Sequence, residues 1–142
     1  MSDALFVGRF DRQVDDKGRL AVPSRFRTGL GERCYLAQGV GSCVTIVPEA
    51  TFAAEAASMR AKVDSGELPR NHLRAVAGTA QLVVIDRQGR VSIDDHLREY
   101  AGITATSTVT VAGAFDRLEI WTPERYARLH AGASGEMAGG AE

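Results

Sequence analysis

The sequence predicts an α+β fold in which one unit (strand, turn, strand, short helix, hairpin, helix) occurs twice around a shared core. Three observations predict it. Val14-Asp15-Asp16-Lys17-Gly18-Arg19-Leu20 recurs 71 residues later as Ile85-Asp86-Arg87-Gln88-Gly89-Arg90-Val91. The flanks match as well, Val22 with Ile93, Phe26 with Leu97, Arg27 with Arg98 and Gly31 with Gly102. Finally, a chain of 142 residues that is 44% hydrophobic and 25% charged has the composition of a soluble globular protein. Either half alone buries too little surface to stand by itself, so the two copies are expected to make one core together.

The first strand runs from Phe6 through Val14 into the first turn, and Leu20 and Val22 continue beyond it with the alternation of a half-buried strand. Pro23 ends that strand and opens a short helix with Phe26 and Leu30 on one face. Gly29 and Gly31 stop it. Residues 35–37 and 43–47 flank a Gly-rich link read as a hairpin loop; Gly39-x-Gly41 lacks both the third glycine of a dinucleotide loop and the Gly-Lys-Ser/Thr of a P-loop. Pro48-Glu49 starts a longer helix whose Phe52, Ala56, Met59 and Val63 form an apolar stripe, expected to be core.

Ser65-Gly66 breaks that helix, and a second helical piece begins at Leu68-Pro69 with Leu73, Val76 and Ala77 as its apolar side. The second copy then repeats the order: strand 81–85, turn, strand 90–93, and a helix opened by Asp94, a residue type that caps free N–H groups. A hairpin follows at 107–112 and 118–121, and Thr122-Pro123 caps a last helix carrying Tyr126 and Leu129. The units are bounded at 5–78 and 79–131, and the Ala, Gly, Ser and Glu of 132–142 predict a disordered tail, as the start at 1–5 predicts a loose end.

Several functions are disfavoured by composition and spacing. The start lacks a basic region followed by an apolar run, and no aliphatic run is long enough to span a bilayer, so a cytoplasmic protein without a membrane partner is expected. Cys34 and Cys43 have no CxxC spacing and no histidine placed to complete a zinc site, and read as reduced structural thiols. His72, His96 and His130 have no neighbours at metal-ligand spacing, and the pairs Asp15-Asp16 and Asp94-Asp95 are explained by a turn and a helix start. No enzyme, cofactor, metal or small-molecule substrate is expected.

What turn chemistry leaves over is the cations. Asp15 and Asp86 bond their own backbone, and Gly18 and Gly89 supply positive φ, but a turn needs no arginine after the glycine. Arg19 and Arg90 therefore read as forks held at a turn for phosphate or a guanine edge, oriented by Asp15 and Asp86. Lys17, Arg87, Arg25 and Arg27 are further phosphate candidates. A net charge of −1 excludes a chain basic all over but not a local basic face.

These residues resemble the MraZ family, whose halves each carry Asp-x-x-x-Arg, here residues 15–19 and 86–90. The resemblance also takes in residues 20–27, the hairpin ending at Ile46-Val47-Pro48, and Leu118-Glu119-Ile120-Trp121, and so nearly the whole chain. It implies an AbrB-like fold, two intertwined β-hairpin units in one chain making a small barrel-like core with packed helices. It also implies a DNA-binding transcriptional regulator, associated with the nucleoid, that assembles as a ring. The targets so implied are short direct repeats in double-stranded DNA upstream of the bacterial division and cell-wall gene cluster, with Arg19 and Arg90 as the DNA-binding residues. Two departures stand out: a longer lead before Phe6, and Asp94 where relatives often have Pro, an anion that the linear sequence places beside the second turn. The alternative is a non-enzymatic assembly or partner-binding protein whose same basic turns meet an acidic protein surface.

Overall fold

The structure, a computed structural model, describes residues 4–140; residues 1–3 and 141–142, parts of the expected loose start and tail, lie outside the described residues. In chain order the elements are β1 (Arg9–Gln13), β2 (Arg19–Ala21), α1 (Ser24–Leu30), β3 (Arg33–Gly39), β4 (Cys43–Pro48), α2 (Glu49–Asp64) and α3 (Arg70–Thr79). The second half supplies β5 (Gln81–Val84), β6 (Arg90–Ser92), α4 (Asp95–Ala101), β7 (Thr108–Gly113), β8 (Leu118–Trp121) and α5 (Pro123–Gly135). This is the expected α+β class.

Strand pairing ties the halves together. Six strands form one antiparallel sheet in the order β1-β7-β8-β4-β3-β5, and β2 pairs with β6 in a separate two-stranded ribbon. Neither turn therefore closes a local hairpin of the kind the sequence suggested. Apart from a single bridge between Val14 and Leu20, the strand before the first turn pairs with β7 and the strand after it pairs with β6. Nor is the core a closed barrel: the sheet stays open, and the ribbon joins β2, which follows one edge strand, to β6, which follows the other. Pairing across the halves wins because it buries Leu20 and Val91, directly opposite each other on the ribbon, inside the common core.

The core follows from the period of two along the strands. Cys34 and Leu36 of β3, Val44 and Ile46 of β4, Val109 and Val111 of β7, and Leu118 and Ile120 of β8 all belong to it. Phe26 and Leu30 of α1 and Leu97 and Ala101 of α4 join them, matching pairs from the two copies. At the rim of this core Phe26 meets Phe6 and Phe10 edge to face, with ring centroids 5.9 and 5.5 Å apart.

The stripe of α2 is not core. Among the described residues no side chain of α2 is buried; Phe52, Met59 and Val63 are half-buried and Ala56 is exposed. The helix is held by Phe52 stacking on Tyr35 of β3 at 4.2 Å between ring centroids, and by a shared apolar cleft with Leu73, Val76 and Ala77 of α3. The apolar spacing is that of a helix face, but the strands bury their own inner face elsewhere. Of the two helix starts expected to be capped by a side chain, one differs. The Asp94 side chain makes no capping bond and instead accepts from Gln81 Nε2 at 3.0 Å, because Gln81 also takes the Asp94 N–H. Thr122 does cap α5, accepting from the Arg125 N–H. At the far end, α5 continues to Gly135 and Glu136–Gly140 follow as a kinked turn with Gly139 at φ +99°, where a disordered tail was expected. Its alanines carry good helix propensity, and the side chains described there are exposed.

Candidate functional site

The two Asp-x-x-Gly-Arg turns have the same hydrogen bonds atom for atom. In the first, Asp15 Oδ1 accepts the N–H groups of Lys17 and Arg19, each at 2.9 Å, and Oδ2 accepts Arg19 Nε at 2.7 Å. In the second, Asp86 Oδ1 accepts from the N–H groups of Gln88 at 2.9 Å and Arg90 at 2.8 Å, and Oδ2 accepts Arg90 Nε at 3.0 Å. The Gly18 and Gly89 N–H groups close the turns onto the carbonyls of Asp15 and Asp86 at 3.1 and 2.9 Å. Such a carboxylate is stabilised in its charged form. The Arg19 backbone N–H bond, ahead of the guanidinium and the Lys17 N–H, holds Asp15 down at about 2, and the matching Arg90 bond lowers Asp86.

This bonding leaves the useful end of each arginine unspent. Only Nε is committed, so among the described residues the terminal nitrogens of Arg19 and Arg90 have no protein partner, and the side chains are 32% and 30% exposed. The ribbon register puts Arg19 opposite Ser92 and Ala21 opposite Arg90, with Leu20 and Val91 between them facing the core. Because side chains alternate, Arg19 and Arg90 share the outer face of one ribbon, offset by two residues, about 7 Å along the strand. Arginines far apart in sequence thus form one pair. A two-stranded ribbon is one of the shapes that fits a DNA major groove.

The other predicted cations divide. Lys17 and Arg87 are exposed near the turn tips. Arg25 is exposed, but its guanidinium sits over the Phe10 ring at 5.7 Å to the centroid, on β1. Arg27 is half-buried: its Nε donates to the Val22 carbonyl at 2.9 Å, and its guanidinium lies against the second turn. A Cβ on Gly89 would collide with Arg27 Cζ.

The residue missed from sequence is Arg98, the repeat partner of Arg27. Its Nε donates to the Ile93 carbonyl at 3.1 Å, and its guanidinium lies 3.0 Å from where a Cβ on Gly18 would stand. The match of Arg27 with Arg98 was the available signal; lacking was any hint that the contacts cross. Val22 donates its N–H to the Gly89 carbonyl at 2.8 Å and Ile93 donates to the Gly18 carbonyl at 2.9 Å. Each turn is therefore backed by the helix of the other half. Ile93 and, through Arg98, Asp95 are tied to the first turn, while the Asp94 carboxylate is turned onto Gln81 of β5.

Gly18 and Gly89 are buried with φ of +77° and +80°, so glycine serves both the left-handed backbone and the close approach of the guanidinium. Elsewhere, burial pushes the free Cys34 and Cys43 thiols up to about 11 and about 12, which keeps both protonated and unreactive. Among the described residues there is no group of three or more His, Cys, Asp or Glu able to hold a metal ion, and no helix long and apolar enough to cross a membrane.

Comparison with known proteins gives a consistent result. The family model described as "MraZ protein, putative antitoxin-like" matches residues 5–67 and again residues 76–138. A protein from Nocardioides sp. named "Transcriptional regulator MraZ" is 35% identical over 133 residues, covering 94% of this chain and 91% of the relative. Relatives of the same name from Thermomicrobium roseum and Desulforamulus reducens are 37% and 33% identical, over 87% and 91% of this chain and 85% and 89% of their own lengths.

Proposed function

The chain belongs to the MraZ family of transcriptional regulators, and from that membership we propose that its β2–β6 ribbon reads DNA through Arg19 and Arg90. The observation that carries the reading is the shared outer face: two arginines, each pinned by Nε to its own turn aspartate, each with its fork of terminal nitrogens uncommitted. A guanidinium so held loses little further freedom on meeting a phosphate pair or guanine O6 and N7. Lys17 and Arg87 extend the contact to the backbone on either side.

One ribbon offers few cations, so a lone subunit binds weakly and its affinity falls steeply with salt. The proposed remedy is repetition. A ring of subunits presents identical ribbons to short direct repeats, and effective concentration then raises avidity with no new contact. The targets proposed are the direct repeats upstream of the division and cell-wall gene cluster, which places the protein on the nucleoid.

The test is a titration of wild type, Arg19→Ala and Arg90→Ala against a duplex with tandem repeats and a scrambled duplex, at fixed salt. Preference of wild type for the repeats, lost in either variant with the fold intact, is the expected result. If neither substitution changes binding, the repeat is only architecture and the partner is an acidic protein surface. A monomeric variant that binds the repeats as tightly as the assembled protein would end the ring reading.

A further inference from the structure

We propose that the two turns are unequal anion sites and that the second turn, backed by Arg27, is the principal phosphate-binding site of the ribbon, a division of labour that rests on the DNA reading for its meaning. The inequality is set by the crossing of the halves, and it reverses the ranking that the linear sequence suggests.

The first turn is nearly neutral in its surroundings. Asp15 and Asp16 balance Lys17 and Arg19 within the turn itself. The backing guanidinium of Arg98 is consumed as well: it donates Nε to the Ile93 carbonyl and is ion-paired through its terminal nitrogen with Asp95.

The second turn has a single carboxylate, Asp86, against Arg87 and Arg90. Where Asp94 and Asp95 stand in one copy, the other has Pro23 and Ser24. Among the described residues Arg27 is in no ion pair; only its Nε is bonded, to the Val22 carbonyl, and its guanidinium lies on the buried face of Gly89. Arg27, Arg87 and Arg90 thus gather three guanidinium groups at one turn with one anion among them. Screening limits each charge to about 8–10 Å at ordinary salt, so this local balance, and not the net charge of the chain, sets the potential that a phosphate meets.

The site can be tested first with inorganic phosphate, followed by NMR at the Gly18 and Gly89 amides and at the arginine Nε–H groups. Gly89, Arg27 and Arg90 are expected to shift at lower phosphate than Gly18, Arg98 and Arg19; equal or reversed order overturns the proposal. The second arm moves the charges between copies. Ser24→Asp and Asp95→Ser both change exposed residues, so the fold is retained. On a duplex with tandem repeats, Ser24→Asp is expected to weaken binding and Asp95→Ser to strengthen it, each about two- to fivefold. Affinity that moves in neither variant, while wild type binds, overturns the proposal. If the phosphate order holds but wild type binds no duplex, the unequal anion sites stand and the DNA reading falls.

Discussion

At each turn one aspartate does three jobs: it accepts two backbone N–H groups and anchors a guanidinium by Nε. The sign of the linkage is fixed by the lowered pKa. Asp15 titrates at about 2 in the folded chain against an ordinary 3.8, so its contribution to stability is complete above the ordinary value and is lost as pH falls through about 2. A carboxyl-carbon NMR titration should give a midpoint near 2 for Asp15 and one below the ordinary value for Asp86; a midpoint at 3.8 for Asp15 would mean that the turn bonds do not persist in solution. Neither carboxylate then titrates between pH 5 and 8, and the arginine forks keep their orientation throughout that range. The glycines make a second prediction. Gly18→Ala and Gly89→Ala force an L side chain into positive φ and against a guanidinium, and each should cost about 1–2 kcal/mol in urea unfolding. A loss within error at either position would remove the packing of Arg98 or Arg27 on its turn.

Among the elements, the three-residue strands of the ribbon matter more than their length suggests. Leu20 of β2 and Val91 of β6 are buried opposite each other and hold the arginine-bearing face in register. Leu20→Ala should cost about 2–5 kcal/mol, the range for opening a cavity in a packed core. Met59→Ala on α2 should cost under about 1 kcal/mol, since the stripe it belongs to is half-open to water. Chemical denaturation of the two variants decides between a helix buried in the core and one laid on the outside. Periodicity made α2 legible as a helix, but it could not tell which surface its apolar side would meet. The same limit applies to Asp94. Its residue type suits a cap, yet Gln81, 13 residues earlier, competes for the carboxylate and wins.

At the scale of the whole molecule, the halves are interleaved rather than adjacent. β1 pairs with β7, β8 with β4 and β3 with β5, so the six-stranded sheet crosses from one copy to the other three times, and β2 with β6 joins them once more in the ribbon. One cooperative transition is therefore expected. Trp121, the single tryptophan, lies in the second half, and Leu36, buried in the shared core, lies in the first. Leu36→Ala should shift the Trp121 fluorescence transition and the far-ultraviolet circular dichroism transition by the same amount; separated midpoints would show two independent units. The amino-acid sequence by itself determined the α+β class, the duplication, both turns with their aspartates, glycines and arginines, and most helix and strand positions. These are properties of neighbouring residues: bonding of a side chain to its own backbone, the sign of φ, and the alternation of apolar positions. Only the tertiary structure decided which strands pair, that the sheet stays open, that Arg19 and Arg90 share one face, and that Arg27 and Arg98 each back the other copy's turn. Those outcomes depend on which distant surfaces bury each other best, and two units with the same turn motif offer self-pairing and cross-pairing with the same chemistry at the turns.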